Sequence, residues 1–216
     1  MTVLLALVVP FGMAVGYVVN RAAGRFPWDE PASARYAAPS PVVELVTALL
    51  FFLAVARFGL SWELPAYLFL AAVGVLLAAI DLRHRLLPNR VVVPSIGIGA
   101  GLLALAAAVE QDGPALLRAV LGAVVLFALF LVLALIAPSG LGMGDVKLAA
   151  LLGLFLGWVG WQAVFVAAAA SFVVQAVLAL VLLATRRIGL KGQLPFGPAM
   201  LLATVLALGW SAPSLH

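Results

Sequence analysis

The chain has 216 residues, 66% of them apolar and only 9% charged, and its mean hydropathy is +1.26. Soluble domains run near about half apolar and about a quarter charged, so a soluble globular protein is excluded and no room is left for a sizeable soluble domain. The absence of cysteine excludes disulfides, thiolate chemistry and cysteine-bound zinc, and the net charge of +4 comes without the basic, aromatic-interleaved patch of a nucleic-acid binder.

Eight apolar segments follow one another: residues 2–19, 42–56, 64–80, 91–109, 116–137, 146–157, 161–184 and 195–208. Apolar runs of about 17–25 residues read as transmembrane helices, and the residue-by-residue alternation of a membrane β-barrel is missing. The expected fold is therefore all-α: a polytopic helical bundle of about eight transmembrane segments, forming one membrane-embedded domain over residues 1–216. The second, sixth and eighth segments are short for a full span. Only Trp158-Val159-Gly160 separates the sixth from the seventh, which leaves one kinked or re-entrant segment as an alternative there. The first run lacks a basic n-region and a small-x-small cleavage site, so it is expected to be a retained helix rather than a signal peptide. Residues 20–41 are the longest polar stretch, rich in Pro, Ala and charge, and read as a short loop.

The connections differ in charge. The odd-numbered ones hold Arg21, Arg25 and Arg35, then Arg83, Arg85 and Arg90, then Lys147, then Arg186, Arg187 and Lys191; the even-numbered ones hold Arg57 and Arg118. Basic residues concentrate on the cytoplasmic side of membrane proteins, which places the odd connections in the cytoplasm and both termini outside.

Two aspartates stand at the margins of apolar runs. Asp81 follows Leu76-Leu77-Ala78-Ala79-Ile80, and Asp145 lies in Gly142-Met143-Gly144-Asp145-Val146-Lys147. An ionisable group in a transmembrane segment is costly and is a functional candidate by default. Under the charge-derived topology both face the cytoplasm. Two carboxylates sharing one proton supply the acid and the base of an aspartic peptidase, because like-charge repulsion splits their apparent pKa values. The plainer alternative is that each caps a helix. It suits Asp145, which precedes a long apolar run, but not Asp81, which ends one where the helix dipole disfavours an anion. Gly142 and Gly144 permit close approach or an ordinary turn. Lys147 has a topological role open to it and is offset by two residues from Asp145, off its helix face. His84, three residues after Asp81, could form a helical metal pair, but the other histidine is His216 and no cysteine exists, so no metal site is expected. Glu44 is read as an interfacial anchor in preference to a polar group near the site.

Taken together these elements resemble the type IV prepilin leader peptidases, membrane aspartic peptidases with a Gly-x-Gly-Asp signature. Asp81 with Leu87-Pro88-Asn89 is similar to the first catalytic aspartate and Leu-Pro element of that family. Gly142-Met143-Gly144-Asp145-Val146-Lys147-Leu148 is similar to the second motif, and Leu194-Pro195-Phe196-Gly197-Pro198 resembles the element before the last helix. Ser33-Ala34-Arg35-Tyr36, the run from Val43-Glu44 to Phe51, and Gly16 and Asn20 with Arg25-Phe26-Pro27 are further matches.

The resemblance implies an inner-membrane endopeptidase that removes a short basic leader from pilin-like precursors, with Asp81 and Asp145 catalytic. Gly142, Gly144, Lys147, Pro88, Pro195, Phe196, Gly197 and Pro198 are its supporting residues. Water attack by general acid–base catalysis needs no covalent intermediate, metal or organic cofactor. The partners it implies are the precursor and the lipid bilayer, not nucleic acid. Asp29, Glu30 or Glu44 could attract the basic leader. Pro88 and residues 195–198 either shape the backbone around the site or simply end helices. Many family members carry a cytoplasmic zinc-binding domain with paired Cys-x-x-Cys elements between the first two helices, linked to methylation of the mature pilin. Here that region shrinks to residues 20–41 without cysteine, so peptidase activity is expected and methylation is not. Two competing classes remain: a small proton-coupled transporter, which predicts acids near the midplane and often repeat symmetry, and a pilus-assembly scaffold that has lost activity.

Overall fold

The computed structural model describes residues 2–28, 36–137, 140–185 and 194–210. Among them are eight helices and no strand: α1 (Thr2–Gly24), α2 (Val42–Phe58), α3 (Leu64–His84), α4 (Asn89–Glu110), α5 (Gly113–Ile136), α6 (Met143–Val159), α7 (Trp161–Ala184) and α8 (Gly197–Trp210). Each expected apolar segment is thus a helix. Five of them, α1, α3, α4, α5 and α7, are long and apolar enough to cross a membrane. The segments expected to be short are short: α2 and α6 have 17 residues each and α8 has 14. At 1.5 Å per residue, 17 residues reach about 26 Å, less than a hydrocarbon core of about 30 Å. The sixth and seventh segments are separate helices. They break at Gly160, whose φ of 152° suits a residue without a side chain.

The chain divides into two compact units, Met1–His84 with Gly97–Asp112, and Arg85–Ile96 with Gly113–His216. Helix α4 begins in the second and continues into the first.

In the first unit α1 lies along α2 on a Gly12-x-x-x-Gly16 stripe. A Cβ on Gly12 would stand 2.7 Å from Ala48 Cα, and one on Gly16 would stand 2.6 Å from Glu44 Cα. Only hydrogen fits there. Lipid tails are as apolar as leucine, so membrane helices associate through such close packing rather than through exclusion from water. Phe11 meets Phe51 across the same pair, with ring centroids 5.8 Å apart. Val19, Val43 and Val75 join α1, α2 and α3 in a small buried cluster.

The second unit is organised around α6. Its buried residues run from Val146 through Leu148 to Trp158 with little interruption, as expected of a helix that is apolar all round. Helix α5 approaches it backbone to backbone. A Cβ on Gly122 would stand 2.5 Å from Gly153 O and 2.9 Å from Gly157 Cα, and a Cβ on Gly153 would collide with Gly122 O in return. Arg118, one of the two basic residues outside the odd connections, has a structural reason for its place. Its Nε donates to Gly157 O at 2.9 Å and its Nη2 to Trp158 O at 2.6 Å. These carbonyls at the end of α6 lack helical partners, and a cation there also opposes the helix dipole. Phe130 of α5, Phe172 of α7 and Phe196 ahead of α8 close the unit, with centroids 5.4–6.0 Å apart.

Gly153→Ala should therefore lower the thermal midpoint of the purified full chain in detergent, by the equivalent of about 1–3 kcal/mol for overpacking a tight contact. Gly101→Ala, on α4 with nothing within 4 Å of its Cβ position, should leave the midpoint unchanged or raise it through the better helix propensity of alanine. Circular dichroism melts of the two variants make the comparison.

Candidate active site

Asp81 sits in the last turn of α3 and is 4% exposed. The helix continues past it through Leu82, Arg83 and His84. The two basic side chains complement a helix C-terminus that Asp81 alone would oppose. The Arg83 guanidinium reaches over to donate to Tyr36 O at 3.2 Å. The His84 ring packs edge-on against Phe26 at 5.0 Å, and its Nε2 is buried without a hydrogen-bond partner among the described residues. The residues around the end of α3 are thus aromatic and basic.

Asp145 lies in the second unit, in the first turn of α6 and ahead of the apolar run of that helix. It is not the N-cap. Gly142 holds that position with an extended backbone (φ −89°, ψ 159°), and Asp145 is at N3. Its Oδ2 accepts the Gly142 N–H at 2.9 Å, while its own N–H donates to Gly142 O at 3.0 Å. This is the return half of a capping box, with glycine where serine or threonine would usually stand. The capping alternative is therefore part of the answer for Asp145, and one oxygen suffices for it. Burial pushes the Asp145 carboxyl above its ordinary range, and the Gly142 N–H opposes that shift more weakly. A carboxyl so placed keeps its proton to higher pH than a solvated aspartate.

Within this second unit the structure joins two elements that are far apart in sequence. A Cβ on Gly144 would stand 2.9 Å from Leu87 Cβ, so this glycine lets Leu87 seat against the first turn of α6. Pro88 is buried and its carbonyl accepts the N–H groups of Val91 and Val92 at 2.9 and 3.0 Å, which starts α4. Lys147 Nζ donates to Asn89 Oδ1 at 2.8 Å. Gly142, Gly144 and Lys147 thus surround Asp145 in sequence, and the residues on either side of Pro88, Leu87 and Asn89, meet that same turn. The sequence alone gives Asn89 no role; its one signal is its place directly after a helix-starting proline.

Phe196 and Gly197 are buried and Pro195 and Pro198 half-buried. Phe196 O accepts Met200 N–H at 3.1 Å, so this element starts α8, with Pro198 in the first turn where proline is tolerated. Its ring belongs to the Phe130–Phe172 cluster described above.

Glu44 departs from expectation. Instead of anchoring at an interface it is 4% exposed, beside Asn20 at 0%. Asn20 Nδ2 donates to Glu44 Oε1 at 3.3 Å and to Ala38 O at 3.1 Å, and Asn20 Oδ1 accepts from Ala37 and Ala38 N–H at 2.9 and 3.0 Å. All hydrogen-bonding capacity of the carboxamide is used, and it ties the loop before α2 to α1. Buried polar groups are tolerated when paired in this way. Glu44 Oε2 has no hydrogen-bond partner among the described residues. Burial was not legible at Glu44 because an acid at the start of an apolar run looks the same whether it faces lipid headgroups or a neighbouring helix. Asp29, Glu30, Ser33 to Arg35, Arg186, Arg187, Lys191 and His216 lie outside the described residues.

A sequence model of the type IV leader peptidase family matches residues 68–181. The chain belongs to that family. The match spans both aspartates, the Leu-Pro-Asn element and the Gly-Met-Gly-Asp-Val-Lys motif. Among its relatives, a prepilin leader peptidase/N-methyltransferase of Pseudomonas aeruginosa is 35% identical over 79% of this chain and 58% of its own length. One of Myxococcus xanthus is 40% identical over 74% and 46%, and one of Bacillus subtilis is 35% identical over 77% and 64%. The chain thus spans about half to two-thirds of the length of the relatives it matches. No solved structure matches it significantly.

Asn20→Ala should strip the Ala38 amide, the Ala38 carbonyl and Glu44 of their shared partner, at about 1–3 kcal/mol for each buried group left unpaired. Limited proteolysis should then cut the segment before α2 faster than in the wild type. Equal rates would mean that the carboxamide does not hold the loop.

Proposed function

We propose that this chain is an aspartic endopeptidase of the bacterial cytoplasmic membrane that removes the short basic leader from type IV prepilin-like precursors. The observation that carries the reading is the family match, which crosses both units and spans Asp81 and Asp145 together. On this reading the two units act as a single peptidase domain over residues 1–216.

Asp81 and Asp145 share one proton. The ionised member takes a proton from water, and the protonated member hydrogen-bonds the scissile carbonyl, so that water attacks without a covalent intermediate. The protonated carboxyl then returns its proton to the leaving amine. Partial burial at Asp145 supports this chemistry, since a poorly solvated carboxyl holds its proton more firmly. Gly142 and Gly144 set the turn that carries Asp145, Pro88 starts α4, and residues 195–198 start α8.

The site faces the cytoplasm on this reading. Arg83 and Arg85 follow Asp81 and Lys147 follows Asp145, and cytoplasmic connections are the basic ones. A precursor whose apolar helix lies in the bilayer presents its leader junction at that same interface. Peptidase activity alone is proposed. The polar segment of residues 20–41 holds no cysteine with which to bind zinc. Transport and scaffold readings are not favoured, since the chain belongs to a peptidase family and holds both Asp81 and Asp145.

Purified full-length protein incubated with a prepilin-like substrate should release the leader. Asp81→Asn and Asp145→Asn should each lower kcat by about 10²–10⁴-fold, the usual worth of general acid–base catalysis. Cleavage at the wild-type rate by either variant rejects the dyad. Separately, Arg85→Cys should react with a membrane-impermeant maleimide from the cytoplasmic side of oriented vesicles; reaction from the other side inverts the topology.

A further inference from the structure

The Lys147 side chain has no assigned part in the dyad chemistry, and Asn89 has none at all. Their contact is nonetheless specific. Lysine carries only donors, so the atom facing Nζ at 2.8 Å must be the Asn89 oxygen. Asn89 is itself fixed, because it is the first residue of α4 and follows a buried Pro88 whose carbonyl anchors that first turn. Gly144 meets Leu87 on the same short segment. The first turn of α6 is therefore held to residues 87–89 at two points, Gly144 and Lys147, and Asp145 lies between them in sequence.

We propose that Asn89 is a positioning residue for Asp145 that acts through Lys147. The Gly144–Leu87 contact sets how closely the turn approaches the 87–89 segment. One contact leaves the turn free to pivot about it. The Lys147–Asn89 hydrogen bond is the second point, and it fixes the angle at which the Asp145 carboxylate is presented. Asn89 touches neither substrate nor the transferred proton, so its loss acts on the chemical step and leaves substrate binding alone. The inference rests on the peptidase reading.

The test uses full-length protein in lipid nanodiscs, as wild type, Asn89→Ala, Lys147→Met, the double variant and Asn89→Asp. Leader cleavage gives kcat and KM, and hydrogen–deuterium exchange reports the amides of residues 142–147. Each single loss should lower kcat about tenfold with KM nearly unchanged, within the range expected when a catalytic group is displaced by up to about 1 Å. The double variant should be no worse than the poorer single one, since the two residues form one link. Asn89→Asp keeps an acceptor for the ammonium and should retain wild-type kcat. Exchange over residues 142–147 should quicken in Asn89→Ala and Lys147→Met but not in Asn89→Asp. Multiplying defects in the double variant, a loss confined to KM, or failure of Asn89→Asp to retain activity overturns the proposal. If the wild type cuts no precursor, the peptidase reading falls instead. The exchange pattern then still decides whether Asn89 orders the Asp145 turn: quickening supports the link, and unchanged exchange removes it.

Discussion

The close approach of α5 to α6 at Gly122, Gly153 and Gly157 is the contact on which the second unit depends. In a lipid environment two apolar helices gain little by meeting each other instead of lipid. Association comes from dispersion between backbones close enough to touch, and that requires positions without side chains. Arg118 completes the pair by taking the last carbonyls of α6. The result is a short helix buried along nearly its whole length, with its first turn carrying the only carboxylate of the unit that lies in the signature motif. A helix held that firmly is a rigid mount for the carboxylate it carries.

The first unit uses the same device and reaches a different end. Gly12 and Gly16 bring α1 onto α2, and that closeness takes Glu44 out of reach of water and sets it beside Asn20. The carboxamide is then committed to the loop before α2. Tyr36, in the segment before α2, accepts a hydrogen bond at its carbonyl from Arg83, two residues beyond Asp81. Packing of small residues thus sets the position of a polar cluster, and the polar cluster sets a loop that touches the end of the Asp81 helix. Each step follows from the one before by elementary requirements: close contact first, then hydrogen-bond partners for the buried Asn20 carboxamide and for Glu44 Oε1.

Much of this molecule was legible in the order of its residues. Eight apolar runs became eight helices because hydrocarbon leaves the backbone no other partner than itself. The shortness of α2, α6 and α8 was a matter of counting. The Gly-Met-Gly-Asp-Val-Lys and Pro-Phe-Gly-Pro elements were visible because glycine and proline are kept where backbone geometry leaves few substitutes. The separation of α6 from α7 was ambiguous in sequence, since three residues between two apolar runs fit a kink as well as a break; the backbone torsion at Gly160 decided it. Gly12-x-x-x-Gly16 and Gly153-x-x-x-Gly157 were also present to be read, but such spacing does not say which glycines meet a partner. Gly97 and Gly101 have the same spacing on α4 and open space before them.

The sequence by itself determined the helical class, the membrane-crossing lengths and the family, and it offered the two candidate aspartates, because hydrophobic length and local motifs are properties of contiguous residues. Only the tertiary structure decided which glycines are contact points, that Glu44 is buried against Asn20, that Arg118 closes α6, and that Lys147 is joined to Asn89 fifty-eight positions away. These depend on pairings between distant segments, and a linear order of side chains does not contain the distances that make such pairings possible.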